Sequence, residues 1–232
     1  MLAKEAATLD FFSDGRLELS LGAGWLRAEY EAAGIAFDRP GVRIARLAET
    51  VAAIKALMAE GPVEIEGEHV SLHGFEGVPD PVQRQHPPIM IGGGRQRILS
   101  LAAREADIVS LNFDNGEGVL GARGVQSATA QATAEKIEWI RAAAGERWDE
   151  IEIEAYFTAV TDDAEAVAGG MAGAFGLSSE EMLAHPHALI GDVDAICAEL
   201  ERRRETYGIS YVTVPGAQDE AFAPVVERLT GR

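Results

Sequence analysis

PIMIGGGRQRILSLAAREA, residues 88–106, is the stretch from which the fold is read. Ile89-Met90-Ile91 has the character of a short strand and runs straight into Gly92-Gly93-Gly94. Beyond the glycines, Arg95 and Arg97 open a run in which Ile98, Leu101, Ala102 and Glu105 recur at helical spacing. Strand, glycine turn and helix start make the geometry that holds a phosphate. Glycines admit close backbone approach, the first-turn N–H groups have no intrahelical acceptor, and the helix dipole adds partial positive charge. The spacing is not a dinucleotide fingerprint, because G-x-G-x-x-G counted from Gly92 needs glycine where Arg97 stands. A tight β-to-α turn that binds nothing is the other reading of the same residues.

Upstream, MLAKEAATLDFF (1–12) reads as helix, with Leu2, Ala6 and Leu9 at helical spacing and no N-cap residue ahead of them. After the turn Ser13-Asp14-Gly15, residues Arg16–Leu21 alternate as a strand that ends in Gly22-Ala23-Gly24-Trp25. A polar, mobile stretch is expected around Arg27, Glu29, Tyr30 and Gly34. Asp38 and Pro40 then introduce a long helix, with Ile44, Leu47, Val51, Ile54 and Met58 on its buried stripe and Gly61-Pro62 as its stop. VEIEGEHVSL (63–72) alternates about Gly67-Glu68, so a small hairpin is expected at about 62–73, appended to one domain over 1–232.

Downstream, Asp107–Asn112 is a strand, Phe113–Ala128 a mobile loop, and Thr129–Ala144 a helix with Ile137 and Ile140 inward. Ile151–Val160 is a strand, and the helix from about Asp163 is expected to break at Gly169-Gly170. Ser178 and Glu181 form a capping box, and Asp192 opens a helix closed by Gly208. Ile209–Val214 is the last strand, and Phe222–Leu229 the last helix. Strands near 17, 89, 107, 152 and 210, each followed by helix, argue for an α/β fold built on a parallel sheet. Their C-terminal ends carry Gly22–Trp25, Gly92–Arg95 and Asn112, the face on which βα-barrels build sites. Five units do not close an eight-stranded barrel. The expectation is therefore a partial TIM barrel, with about three N-terminal units absent; a five-stranded open sheet is the competing fold.

The net charge of −18 argues against nucleic acid and anionic membrane surfaces as partners. A single cysteine, Cys197, precludes an internal disulfide and fits a reducing cytoplasm; its place on the apolar side of DAICAEL makes it a buried structural thiol. No apolar run approaches a membrane span and no signal sequence leads the chain, so a cytoplasmic protein is expected. His69 and His73 lie in the hairpin and share no helix face, so no metal site is expected there. His185-Pro-His187 reads as an exposed loop, with reach to the substrate side as the alternative, and Glu29 and Glu31 as a solvated face, with acid/base work as theirs.

LAKEAATLDFFSDGRLELSLGAGW (2–25), PPIMIGGG (87–94) with LAAREAD (101–107), HALIGDVDAICAEL (187–200) and YGISYVTVP (207–215) with the closing FAPVVERLTG together resemble the bacterial-luciferase-like superfamily. The resemblance is to its deazaflavin (coenzyme F-420) dependent oxidoreductase branch and runs through the whole chain in the family's order. It implies a (βα)8 barrel, commonly a homodimer, with coenzyme F-420 or FMN in the mouth at the strand C-termini. It places the chain's start within the third helix and keeps strands four to eight. It assigns Gly92, Gly93, Gly94 and Arg95 to the phosphate turn after strand five, with Ile98 in the first helical turn. Arg95 or Arg97 would add a charge-assisted bond to phosphate. Gly22, Ala23 and Gly24 match the end of strand four, where small residues admit the ring. Trp25 is either a wall of that pocket or a core aromatic, and Asn112 ends strand six at the mouth. The implied reaction is hydride transfer between reduced coenzyme F-420 and a small organic substrate. FMN-dependent monooxygenation on the same fold is the first alternative, and a remnant without catalysis the second. No catalytic residue is assigned.

Overall fold

The computed structural model describes residues 1–83, 85–116, 118–119, 122–155 and 158–231. Its strands are β1 (Leu19–Leu21), β2 (Pro62–Glu66), β3 (Ser71–Glu76), β4 (Ile89–Gly93), β5 (Ile108–Leu111), β6 (Glu152–Glu154), β7 (Thr158–Val160), β8 (Leu189–Gly191) and β9 (Ile209–Tyr211). The helices are α1 (Leu2–Ser13), α2 (Arg27–Ala32), α3 (Pro40–Met58), α4 (Gln96–Glu105), α5 (Ala122–Gln126), α6 (Ala130–Ala144), α7 (Ala164–Phe175), α8 (Ser179–Leu183), α9 (Val193–Tyr207) and α10 (Asp219–Leu229).

Five strands form one sheet in the order β1-β4-β5-β6-β9, and every pairing in it is parallel. These are the five strands legible from alternation, so the α/β class with a parallel sheet stands. Side chains alternate across it as the pleat requires. Ile89 and Ile91 of β4, Val109 and Leu111 of β5 and Ile153 of β6 point to one face, where they pack with Val51 and Ile54 of α3, Leu99 and Ala102 of α4, and Ile137 and Ile140 of α6. The opposite face mixes apolar Met90 and Ile108 with polar residues nearer the strand ends. Ser110 is the partner of Gly92 on one side and of Glu154 on the other, and Glu154 is the partner of Tyr211.

The long helix α3 starts with Pro40 at its first position, where the missing N–H costs nothing, and ends at Met58 before extended Ala59. Helix α1 buries Ala3, Ala6, Ala7 and Asp10, while Leu2 and Leu9 face outward, the reverse of what apolar spacing predicts. Asp10 explains the inversion. Its carboxylate accepts the backbone N–H groups of Val82 (2.7 Å) and Gln83 (2.9 Å) and the Gln83 amide (2.8 Å), which ties α1 to the connector ahead of β4.

Several local expectations are corrected. The stretch after Trp25 forms α2, and Phe113–Ala128 contains α5. Ile151–Val160 divides into β6, in the main sheet, and β7, which pairs with β8 in a separate parallel pair. Tyr156 and Phe157, between them, lie outside the described residues. Helix α7 runs unbroken through Gly169 and Gly170, because its Asp163 cap and the burial of Ala168 and Ala172 outweigh the roughly 1 kcal/mol that each interior glycine costs. The hairpin is antiparallel, with Val63 opposite Phe75, and extends to Glu76.

Candidate cofactor cleft

The C-terminal ends of β1, β4 and β5 and the start of α3 enclose a cleft of about 440 Å3. A small-molecule site of ordinary size fits that volume. Gly22, Ala23, Gly24, Trp25, Gly92, Gly93, Gly94, Arg95, Ile98 and Asn112 line it, so the structure brings together ten of the eleven residues singled out from the sequence. Arg97 is the exception. Its guanidinium turns away to the first turn of α3, where Nη1 lies 2.7 Å from where a Gly41 side chain would begin.

The three consecutive glycines are explained by packing within the chain. A Cβ on Gly94 would overlap the Phe113 carbonyl, one on Gly93 would overlap Ile98, and one on Gly92 would fall 2.5 Å from the Asn112 amide. None of the three needs a positive φ. Gly24 does, at φ 71°, and the Tyr30 ring fills the space beside it while the Tyr30 hydroxyl donates to the Ala23 carbonyl (3.3 Å). Gly22 differs from all of these: a side chain there would meet nothing within 4 Å. Its missing side chain opens the cleft instead of admitting a neighbour.

The walls are electropositive. Among the described residues no side chain caps the N-terminus of α4, so its first-turn N–H groups face the cleft end with the dipole behind them. Arg95, the residue just before α4, lies with Nε 2.6 Å from Asp114 Oδ1. Arg43, from the first turns of α3, is a cleft residue that sequence reasoning missed. It is only 5 % exposed, is stacked 4.0 Å above the Phe37 ring, gives Nη1 to the Asp38 carbonyl, and keeps a buried Nε with no partner. Among the described residues that Nε has no acceptor, and the guanidinium sets a positive charge in the cleft wall. The sequence signal was its place, early in the helix that follows the first strand's glycine turn.

Behind β5 the cleft floor rests on a buried amine. Lys136 of α6 is 2 % exposed and donates from Nζ to the Asn112 carbonyl (2.7 Å). Burial pulls its pKa down to about 8, with Asp114 opposing. Beside it, His185 and His187 are buried, not exposed as expected. Their segment is drawn inward by Arg203 of α9, whose Nη1 donates to the Pro186 carbonyl (2.6 Å), whose Nη2 reaches those of His185 and Ala188, and whose Nε holds Glu199 (2.8 Å). The His187 backbone N–H donates to His185 Nδ1 (3.2 Å), and Phe113, a cleft residue, packs on the His187 ring at 5.4 Å. Burial pushes His187 well below the ordinary histidine range, assisted by the nearby Lys136, so it is neutral at pH 7.

Below the cleft, Glu154 is buried with Oε2 unpartnered, next to Ser110. Tyr211 donates to Glu18 Oε2 (2.6 Å), and that bond, with burial, raises the phenol to about 12. Glu29 and Glu31 lie on exposed α2, outside the cleft lining. Cys197 is half-buried in a small cluster with Ile196 and Phe222. Among the described residues no helix is long and apolar enough to cross a membrane, and no group of side chains is arranged to hold a metal ion.

Against known proteins, the chain is 29% identical over 119 residues to the FMNH2-dependent dimethylsulfone monooxygenase of Pseudomonas putida, covering 51% of this chain and 33% of that protein. It therefore spans about a third of the length of the curated relatives it matches. The monooxygenase RslO1 from Streptomyces bottropensis has the same fold, with a TM-score of 0.70 at 23% identity over 98% of this chain and 73% of that one. The coenzyme F-420 dependent tetrahydromethanopterin reductase from Methanopyrus kandleri gives 0.71 at 19% identity, over 94% of this chain and 73% of that one. A monooxygenase and a coenzyme F-420 dependent reductase thus share the fold. The description that matches residues 1–211 is that of the luciferase-like monooxygenases, and the chain belongs to that family.

Proposed function

We propose that the cleft holds the phosphorylated side chain and ring of a flavin or deazaflavin, and that the chain serves a luciferase-like oxidoreductase whose five main strands correspond to strands four to eight of the family barrel. The observation that carries this reading is the convergence of the uncapped start of α4, the Arg43 side chain and the open side-chain position of Gly22 on one 440 Å3 cleft. The α4 N–H groups and the two arginines are placed to bind phosphate. Gly22 and Ala23 leave room for a planar ring, and Trp25 walls it from solvent. Asn112 offers a side-chain amide at the floor, and Lys136 holds its carbonyl in place from behind. A reduced ring in this setting supplies hydride to a small organic substrate, and the protein positions it and excludes water.

Coenzyme F-420 is the cofactor expected from the sequence resemblance, with hydride transfer as the reaction. FMN is the second reading, favoured by the 29% identity to an FMNH2-dependent monooxygenase. Titration of the purified protein with each reduced cofactor, with and without oxygen, separates them. F-420 binding with oxygen-independent turnover supports the first, and oxygen consumption with reduced FMN the second. Absence of binding by either sinks both.

A further inference from the structure

The corner where phosphate is proposed to bind already contains a carboxylate. Asp114 Oδ1 accepts from Arg95 Nε at 2.6 Å and from the Gly116 backbone N–H at 3.0 Å, and the Asp114 backbone N–H is held by Ser127 Oγ at 2.7 Å. The contact is packed as well as charged. Arg95 lies across Gly116, with Cζ 2.9 Å from where a Cβ would stand, and Gly94 sits against the Phe113 carbonyl so closely that no side chain fits between. Asp114, Asn115 and Gly116 all line the cleft beside Gly94 and Arg95. An anion at the start of α4 and the Asp114 carboxylate therefore compete for one guanidinium. Two anions on one cation in a confined space repel each other, and a phosphate dianion outweighs a single carboxylate.

We infer that Asp114 is a specificity-determining residue of the cleft: it holds Arg95 until a phosphate-bearing ligand takes the guanidinium, and the exchange releases residues 113–116 from the corner. This rests on the cofactor reading above and adds to it a built-in competitor. The geometry gives the carboxylate a discriminating effect. A ligand with a ring and no phosphate leaves the Arg95–Asp114 pair undisturbed, whereas a phosphorylated one brings a second anion to the guanidinium whose Nε Asp114 holds.

The test compares FMN with riboflavin, which has the same ring and no phosphate, by fluorescence titration of wild type and Asp114→Asn. Asparagine keeps the shape and the Gly116 contact but removes the charge. FMN affinity is expected to rise about 1.5-fold to fivefold in D114N, the range of one partly exposed ion pair, with riboflavin unchanged. In an Arg95→Gln background the same change should raise FMN affinity less than it does in wild type, because only the direct repulsion between carboxylate and phosphate remains once the shared partner is gone. Equal shifts for both ligands, or weaker FMN binding in D114N, overturn the proposal. A parallel 15N NMR titration with inorganic phosphate follows the Arg95 Nε–H and the amides of 93–98 and 113–116. Should no flavin bind while phosphate moves both sets of signals, more tightly in D114N, the cofactor reading fails and this inference stands. Should phosphate leave both sets unmoved in wild type and D114N, the inference falls.

Discussion

Gly22 and Gly24 are two residues apart and answer to different forces. Gly24 is fixed by the backbone: φ of 71° and the Tyr30 ring leave no room for a side chain. Gly22 is fixed by nothing within 4 Å, so its smallness matters only to an occupant of the cleft. Gly22→Val should leave stability within about 0.5 kcal/mol of wild type, as an unencumbered surface substitution does. The same change should cost FMN or F-420 at least about tenfold in affinity, because the isopropyl group enters the ring's space. Urea melts and fluorescence titrations of one preparation check both halves. A large stability loss with unaltered affinity would assign Gly22 to folding alone.

At the scale of elements, β5 is buried along its whole length and carries the cleft floor on Asn112, whose carbonyl is held by Lys136 from α6. The amine titrates near 8 when folded and near 10.5 when free, so the unfolded chain binds more protons between those values. Stability from this group is therefore complete above about 10.5, rises with pH across that window, and is lost as pH falls through 8. Thermal melts from pH 7.5 to 10.5 should show a rising difference between wild type and Lys136→Met, in favour of wild type as pH increases; parallel profiles would remove the buried amine from the account. No sequence pattern announced Lys136, since a lysine in a helix with Ile137 and Ile140 inward reads as solvated until tertiary packing places it. The same holds for Arg43, Asp114 and Asp10, whose roles depend on segments far along the chain. Strands and caps were legible because their causes are local: the apolar run entering glycines for β4, Ser178 and Glu181 for α8, Asp192 and Gly208 for α9. The Gly92–Gly94 turn was legible as a place of close backbone approach, and in the structure that approach is made by the chain itself. Its glycines admit the chain's own Asn112, Ile98 and Phe113, while the open position lies across the sheet at Gly22. His185 and His187 were read as exposed because two histidines flanking a proline suggest a loop, and the pull of Arg203 from α9 cannot be seen in that segment.

For the molecule as a whole, a net charge of −18 surrounds a cleft whose own walls present Arg43, Arg95 and a helix start. Such an arrangement disfavours anions over most of the surface, while at the cleft the two arginines and the helix start are set against the single carboxylate of Asp114. The sheet ends on β1 and β9, each three residues long, and the brevity of those edges limits the pairing surface they offer to other chains. The three tryptophans are distributed unevenly with respect to that mouth. Trp139 and Trp148 pack against the main core, whereas Trp25 lines the cleft and is 41 % exposed. The molecule thus carries its own optical gauge: an absorbing tricycle seated beside Trp25 must drain that indole's excited state by energy transfer, while the two distant indoles respond less. Emission should fall in step with occupancy, and Trp25→Phe should flatten most of the response, which turns a single wall residue into a label-free meter of when the cleft is full.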